Sequence, residues 1–327
     1  MGEEWRRSWH PERIPIRRSD TTEPVLVIGG GPAGLEAARA LGQRGVTVDL
    51  LEARATLGGR VEREAMLPGL ATWRRVAEWR LGQIAKQPHV ALYPASPMTA
   101  ADVLDSGARH VLVATGAVWR RDGRGRSLGT AISGWETPGV LTPDDVLDDL
   151  VAGTWSVPDG RVVVYDDDHY VMGGLLAELL AVRGHEVVLV TPAPLVSHWT
   201  QFTLEQPRIE ARLRSLGVEL RTRALLRRID AGSVTLASVV DGAEVEVRRD
   251  VVVLVADRAP STALHDDLLP AFEDGRLDSL RLIGDADAPN LIAQAVFAGH
   301  LAAREFGEVV DPDAVPFRRE RSGVPTG

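Results

Sequence analysis

The chain has no cysteine in its 327 residues. That excludes disulfides, a CxxC redox pair and any cysteine-bound iron–sulfur cluster on this chain. An electron relay here is therefore organic or lies on another chain. No apolar run reaches the roughly 18 residues of a membrane span. The start, MGEEWRRSWHPER, has no apolar signal core. Positive charge is also in deficit: 37 Lys and Arg against 46 Asp and Glu give −9. This disfavours nucleic acid and anionic membranes as partners. Cytoplasm is the expected compartment. Length suits two domains or one large one.

What is present organises around Val25 to Glu52, VLVIGGGPAGLEAARALGQRGVTVDLLE. A short β-branched run, Val25 to Ile28, reads as a strand. Gly29, Gly31 and Gly34 follow at the spacing GxGxxG, with Gly30, Pro32 and Ala33 between them. An amphipathic helix runs to about Arg44, and Val46 to Leu51 read as a second strand closed by Glu52–Ala53. Gly29 permits the tight turn, Gly31 lets backbone approach a pyrophosphate, and Gly34 allows close helix–strand packing. The phosphates would sit on free N–H groups at the positive helix end. Glu52 is placed to accept from a ribose 2′-hydroxyl and opposes a 2′-phosphate.

Residues 1–23 form a polar arm with Trp5, Trp9 and Arg6, Arg7, Arg13, Arg17, Arg18, read as either solvated or docked on a partner. Residues 72–87 read as an amphipathic helix, Val90–Tyr93 as a strand and Thr99–Leu104 as a short capped helix. His110–Gly116 reads as a buried strand ending in Ala114–Thr115–Gly116. The stretch Trp119–Gly129, rich in Arg and Gly, reads as a surface loop, and Gly153–Gly160 as a linker. The pattern then restarts: strand Arg161–Tyr165, helix Leu175–Arg183, strand Glu186–Val190, and Asp250–Ala256 echoing the earlier buried strand. This is an internal duplication, with a small β-meander at 218–248. In the second copy the early glycines are replaced by Asp166-Asp167-Asp168-His169, which repels a pyrophosphate. Adjacent acids in one turn rarely converge on an ion, so no metal site is expected. They are expected to cap the next helix. Ser279–Arg304 reads as a strand ending in Gly284–Asp285 and a helix from about Leu291. A proline-rich tail, 308–327, follows.

The ordered set GGGPAG with Glu52, ATG at 114–116 and GDA at 284–286 is that of two-dinucleotide-binding flavoproteins. LPGLATW, PMTAADVL, DDDHYVMGG, FTLEQP and LIGDADAPNLIAQAVFAGH, with the opening GEEWRRSWHPERI, resemble the C-terminal half of the trimethylamine dehydrogenase and dienoyl-CoA reductase family. The resemblance covers nearly the whole chain. It implies an α/β fold of two Rossmann-like dinucleotide-binding domains, the second inserted in the first. The FAD/ADP domain would span 24–157 and 258–307, and a degenerate NAD(P)-like domain 158–257. It implies that Gly59 and Arg60 lie over the diphosphate, that Met98 meets adenine through its backbone and that Asp285 meets the ribityl chain. The cofactor implied is FAD, or ADP only. The missing half of the family carries FMN and a 4Fe–4S centre on a TIM barrel, expected here on a partner chain, with an electron-transfer flavoprotein as possible acceptor.

The reading is a flavoprotein-type subunit of a heteromeric dehydrogenase acting in oxidative N-demethylation of an amine or methylated amino acid. Two rivals are a self-contained NADH-dependent FAD reductase and a structural subunit holding ADP. No nucleophile–base pair stands out: His169 and His198 are available bases but suit capping or surface roles.

Overall fold

The computed structural model describes residues 18, 19 and 23–308. The expected docking arm and tail fall outside the described residues apart from residues 18, 19, 23 and 308. The chain runs through β1 (Val25–Ile28), α1 (Pro32–Gln43), β2 (Val48–Leu51), α2 (Arg60–Glu64), α3 (Arg75–Ile84), β3 (Val90–Tyr93), α4 (Ala100–Asp105) and β4 (His110–Val113). It then crosses through β5 (Ala117–Trp119), β6 (Val140–Leu141), α5 (Pro143–Ala152), β7 (Arg161–Asp166), α6 (Val171–Val182), β8 (Glu186–Val190), α7 (Gln206–Ser215) and β9 (Glu219–Arg221). The remainder is β10 (Ala224–Ile229), β11 (Ser233–Ser238), β12 (Glu244–Arg248), β13 (Val251–Val255), β14 (Arg258–Pro260), α8 (Ala263–Glu273), β15 (Ser279–Leu282) and α9 (Ile292–Glu305).

Two five-stranded sheets result, in the orders β15-β4-β1-β2-β3 and β6-β13-β7-β8-β9. Every pairing in both is parallel. The duplication read from the sequence is thus present as topology. Strands buried on both faces are continuous apolar runs: β1 is VLVI and β13 is VVVLV, and every residue of each is buried. The chain leaves the first sheet by β5 and returns by β14, and these two strands pair antiparallel. The second sheet is therefore inserted within the first unit. The β-meander is β10-β11-β12, packed on the second sheet through Leu226, Ile229, Val234 and Leu236.

Some boundaries differ from expectation. Val140–Leu141, assigned with 24–157 to the first unit, pair with β13 of the second sheet. The helix expected from Leu175 begins at Val171, because the turn before it is tied down by side chains rather than glycines. The strand expected from Val46 begins at Val48, since the Val46 N–H closes back on Leu41 O at the helix end. α1 and α9 lie in close contact because Gly299 has no side chain: a Cβ there would sit 2.1 Å from Ala33 O.

Candidate functional site

The three fingerprint glycines do three separate jobs. Gly29 has φ +110, and a Cβ there would lie 2.3 Å from Ala114 O. It is therefore needed both for the turn and for contact with the next strand. At Gly34 a Cβ would lie 1.9 Å from Gly29 O, so helix and turn touch directly. Gly31 differs. Its φ is −75, and the nearest heavy atom to a Cβ is Gly59 Cα at 4.0 Å. Among the described residues nothing forbids a side chain at Gly31; only the space in front of it is kept clear. Gly31 also caps α1 without a side-chain hydrogen bond, leaving the helix's positive end for a ligand.

Glu52 is buried, as the sequence pattern placed it at the end of β2. Its Oε2 accepts from Gly30 N at 2.7 Å and its Oε1 from Arg54 N at 2.9 Å. The carboxylate thus holds the glycine loop while still lining the cleft. Gly59, with φ +59, backs onto Gly31: a Cβ there would lie 2.9 Å from Gly31 Cα.

These elements open into a cleft of about 880 Å³, within the size range of small-molecule and cofactor sites. It lies at the carboxyl ends of β1 and β4, where open α/β sheets bind ligands. Of the residues expected at the site, Gly29, Gly31, Pro32, Ala33, Glu52, Ala53, Gly59, Arg60, Met98, Ala114, Thr115, Gly116 and Asp285 line it. Gly30, Gly34 and Gly284 stand behind as supports; a Cβ on Gly284 would sit 2.6 Å from Ala33 Cβ. Asp285 is already engaged. Its Oδ2 pairs with Arg258 Nη1 at 2.7 Å and its Oδ1 accepts from Asn290 N at 3.0 Å.

Several cleft residues carried no motif. Arg258 comes from β14, on the return to the first sheet. Trp119 is buried, with the Arg60 and Arg258 guanidinium groups each 5.5 Å from its ring centroid. Arg60 pairs with Glu64 at 2.9 Å and Asp144 at 3.5 Å. Burial pulls the Arg60 pKa down, but these two carboxylates outweigh it and hold it above the usual value. Arg126 and Trp199 stack at the mouth, 4.2 Å apart. For Arg126 the sequence signal was an Arg-Gly-rich stretch read as a surface loop; Trp199 carried none.

That loop lies at the surface after β5 but is held in place rather than free. Ser127 N and Oγ donate to Asp167 at 2.9 and 2.6 Å, and a Cβ on Gly125 would lie 2.3 Å from Asp167 Oδ2. The loop is docked on the acidic turn of the second copy. The acids do not cap α6 either: its N-cap is Tyr170, with no side-chain cap. Asp167 N and Asp168 N both donate to Val255 O, at 2.8 and 3.2 Å, which ties the acidic turn to the end of β13. Asp166 Oδ1 accepts from His169 N at 2.9 Å. Burial, reinforced by the Asp168 charge, pushes the Asp166 carboxyl up to about 7.

His169 is buried between Asp167 at 3.3 Å and Thr191 at 3.4 Å. His198 contacts Gln201 at 3.0 Å. Among the described residues the one metal-like group is Glu23, His110 and Asp278, at the amino ends of β1, β4 and β15, the end of the first sheet away from the cleft. Asp278 there is held by Arg109.

Fold and cleft together define a two-Rossmann α/β chain with a nucleotide-type cleft on its first copy. The family described as "NAD(P)-binding Rossmann-like domain" matches residues 27–89, and the "OYE-like second alpha/beta domain" matches residues 141–266. Dimethylamine dehydrogenase of Hyphomicrobium sp. (strain x) is 33% identical, aligned over 98% of this chain and 46% of its own length. The structure of histamine dehydrogenase from Rhizobium sp. 4-9 superposes with a TM-score of 0.89 at 44% identity, covering 97% of this chain and 49% of that one. That of 6-hydroxypseudooxynicotine amine oxidase from Pseudomonas geniculata N1 gives 0.86 at 40% identity, covering 94% and 45%. This chain is homologous to part of the dimethylamine and histamine dehydrogenases and spans about half the length of these relatives. Among the described residues no helix is long and apolar enough to cross a membrane.

Proposed function

We propose that this chain is the nucleotide-binding, flavoprotein-type part of a flavin-dependent oxidoreductase acting on an amine or methylated amino acid. The observation that carries it is the clear space in front of Gly31, at an uncapped helix N-terminus beside Glu52. Similarity to amine dehydrogenases over nearly the whole chain supports the reaction class. The nucleotide proposed is FAD. Its diphosphate would lie over Gly31 and Gly59 and its adenosine along Glu52, Ala53 and Met98; bound FAD would supply two-electron redox chemistry. We take 24–157 and 258–307 as the nucleotide unit, with β6 contributed to the other sheet.

A second reading, ADP alone, is favoured by the Arg258–Asp285 pair, which occupies the carboxylate a ribityl chain would use. In either case the reading assigns amine oxidation, with FMN and a 4Fe–4S centre, to a partner; these 327 residues offer the cluster no cysteine ligand. An electron-transfer flavoprotein would be the acceptor. The test is direct. Nucleotide released from the purified chain by denaturation is identified by chromatography and by its visible spectrum. Flavin supports FAD, ADP supports the second reading, and no nucleotide at all refutes both. Co-purification of an FMN-bearing partner tests the assembly, and a lone chain that oxidises amines unaided would overturn it.

A further inference from the structure

The cleft is also lined by a group outside the residues expected to hold the nucleotide. Arg126, Asp168, Tyr170, Met172 and Trp199 make up this group. The Asp168 side chain is only 16% exposed, and among the described residues no hydrogen bond reaches its carboxylate. Among the described residues its one ion pair is a loose one, 3.9 Å to Arg126. A carboxylate so placed is costly unless a cation meets it. Burial accordingly raises its pKa, with Arg258 and Arg126 only partly offsetting the effect. Arg258 is committed to Asp285 and cannot serve Asp168 more closely.

Arg126 meets the other half of the group. Its guanidinium lies 4.2 Å over the Trp199 ring, yet its side chain is 47% exposed and makes no hydrogen bond among the described residues. It rests there by stacking and weak pairing, while its backbone is fixed next door by Ser127 on Asp167. A side-chain rotation alone would withdraw it. One guanidinium thus meets both an aromatic face and a carboxylate, and that pair of partners is what recognises organic cations.

We propose that Asp168 and Trp199 form a site for a small organic cation, of the alkylammonium, imidazolium or amidinium class, which Arg126 fills in cis until a ligand displaces it. The site lies on the second copy, outside the nucleotide half of the cleft.

The experiment is calorimetric titration of the full chain with benzamidinium as probe. Arg126→Ala should bind it about tenfold or more tightly than the wild type, since the stacked competitor is gone. Adding Asp168→Asn or Trp199→Leu to that variant should abolish the gain, and neutral benzamide should not show it. Equal affinity for wild type and Arg126→Ala, no binding by Arg126→Ala, indifference to Asp168→Asn, or equal binding of benzamide would each overturn the proposal. Thermal melting confirms folding, and Arg126→Gln replaces Arg126→Ala if the latter melts early. The titration requires no bound nucleotide, so a chain purified empty would defeat the nucleotide reading and leave this one intact.

Discussion

Gly31→Val separates ligand binding from folding. At Gly31 a Cβ meets nothing closer than 4.0 Å, and φ is −75. Residues before proline favour this extended backbone, so valine fits the empty chain. Replacing glycine at a helix N-cap costs about 1 kcal/mol, a shift of about 1–2 °C in a chain this size. The valine methyl groups instead fill the space where a diphosphate would approach the α1 amides. Losing two hydrogen bonds to a charged group costs about 3 kcal/mol, or about a hundredfold in affinity. Nucleotide content should therefore fall sharply while the melting temperature, compared between nucleotide-stripped proteins, barely moves. Gly34→Ala is the converse control. Its Cβ would sit 1.9 Å from Gly29 O, a backbone atom that no rotamer can relieve. Overpacking there costs about 3 kcal/mol, and the stripped protein should melt several degrees lower. Unchanged nucleotide content in Gly31→Val would refute the site, and a stable Gly34→Ala would refute the packing argument.

Further outcomes follow from buried charge and from the second copy. The Asp166 carboxyl is pushed up to about 7 from 3.8, so the folded state holds a proton that the unfolded state has released. Stability should thus fall as pH rises from about 4 to about 7, by on the order of 4 kcal/mol at most; denaturant titration of Asp166→Asn should show this slope removed and greater stability than wild type at pH 8. Glu36 is the opposite case. Burial alone would raise it, but hydrogen bonds from His300 and Arg39 and the charges of Arg39 and Arg80 bring it down to about 2. Its contribution is present above 4.5 and lost as pH falls toward 2; Glu36→Gln should cost about 3 kcal/mol at pH 7, and a constant gap down to pH 2.5 would contradict the network. Because the carboxylates Asp166–Asp168 stand where the early glycines of a dinucleotide loop would be, rapid mixing of the chain with NADH should cause no flavin reduction, and prompt bleaching at micromolar NADH would restore the reductase reading.

Local pattern alone determined the two βαβ units, the duplication and the nucleotide fingerprint. Val25–Ile28 and Val251–Val255 are buried on both faces, so their apolar runs identify strands without reference to neighbours. Glycine carries its backbone requirement with it, which is why Gly29 and Gly34 were legible from spacing. Acids and arginines have no such self-contained preference. The Asp166–Asp168 run could cap a helix, bind a cation or bury itself, and its fate depended on the docking of residues from 40 positions earlier, as in the Ser127–Asp167 contact. Arg258 and Trp119 reach the cleft only because β5 and β14 pair as the chain crosses between sheets. Likewise Asp285 was marked by its GDA motif, but its partner Arg258, 27 residues away, was not. Periodicity and glycine geometry act over a few residues, whereas charge pairing is decided by which distant segments share a buried space, and only the tertiary structure sets that.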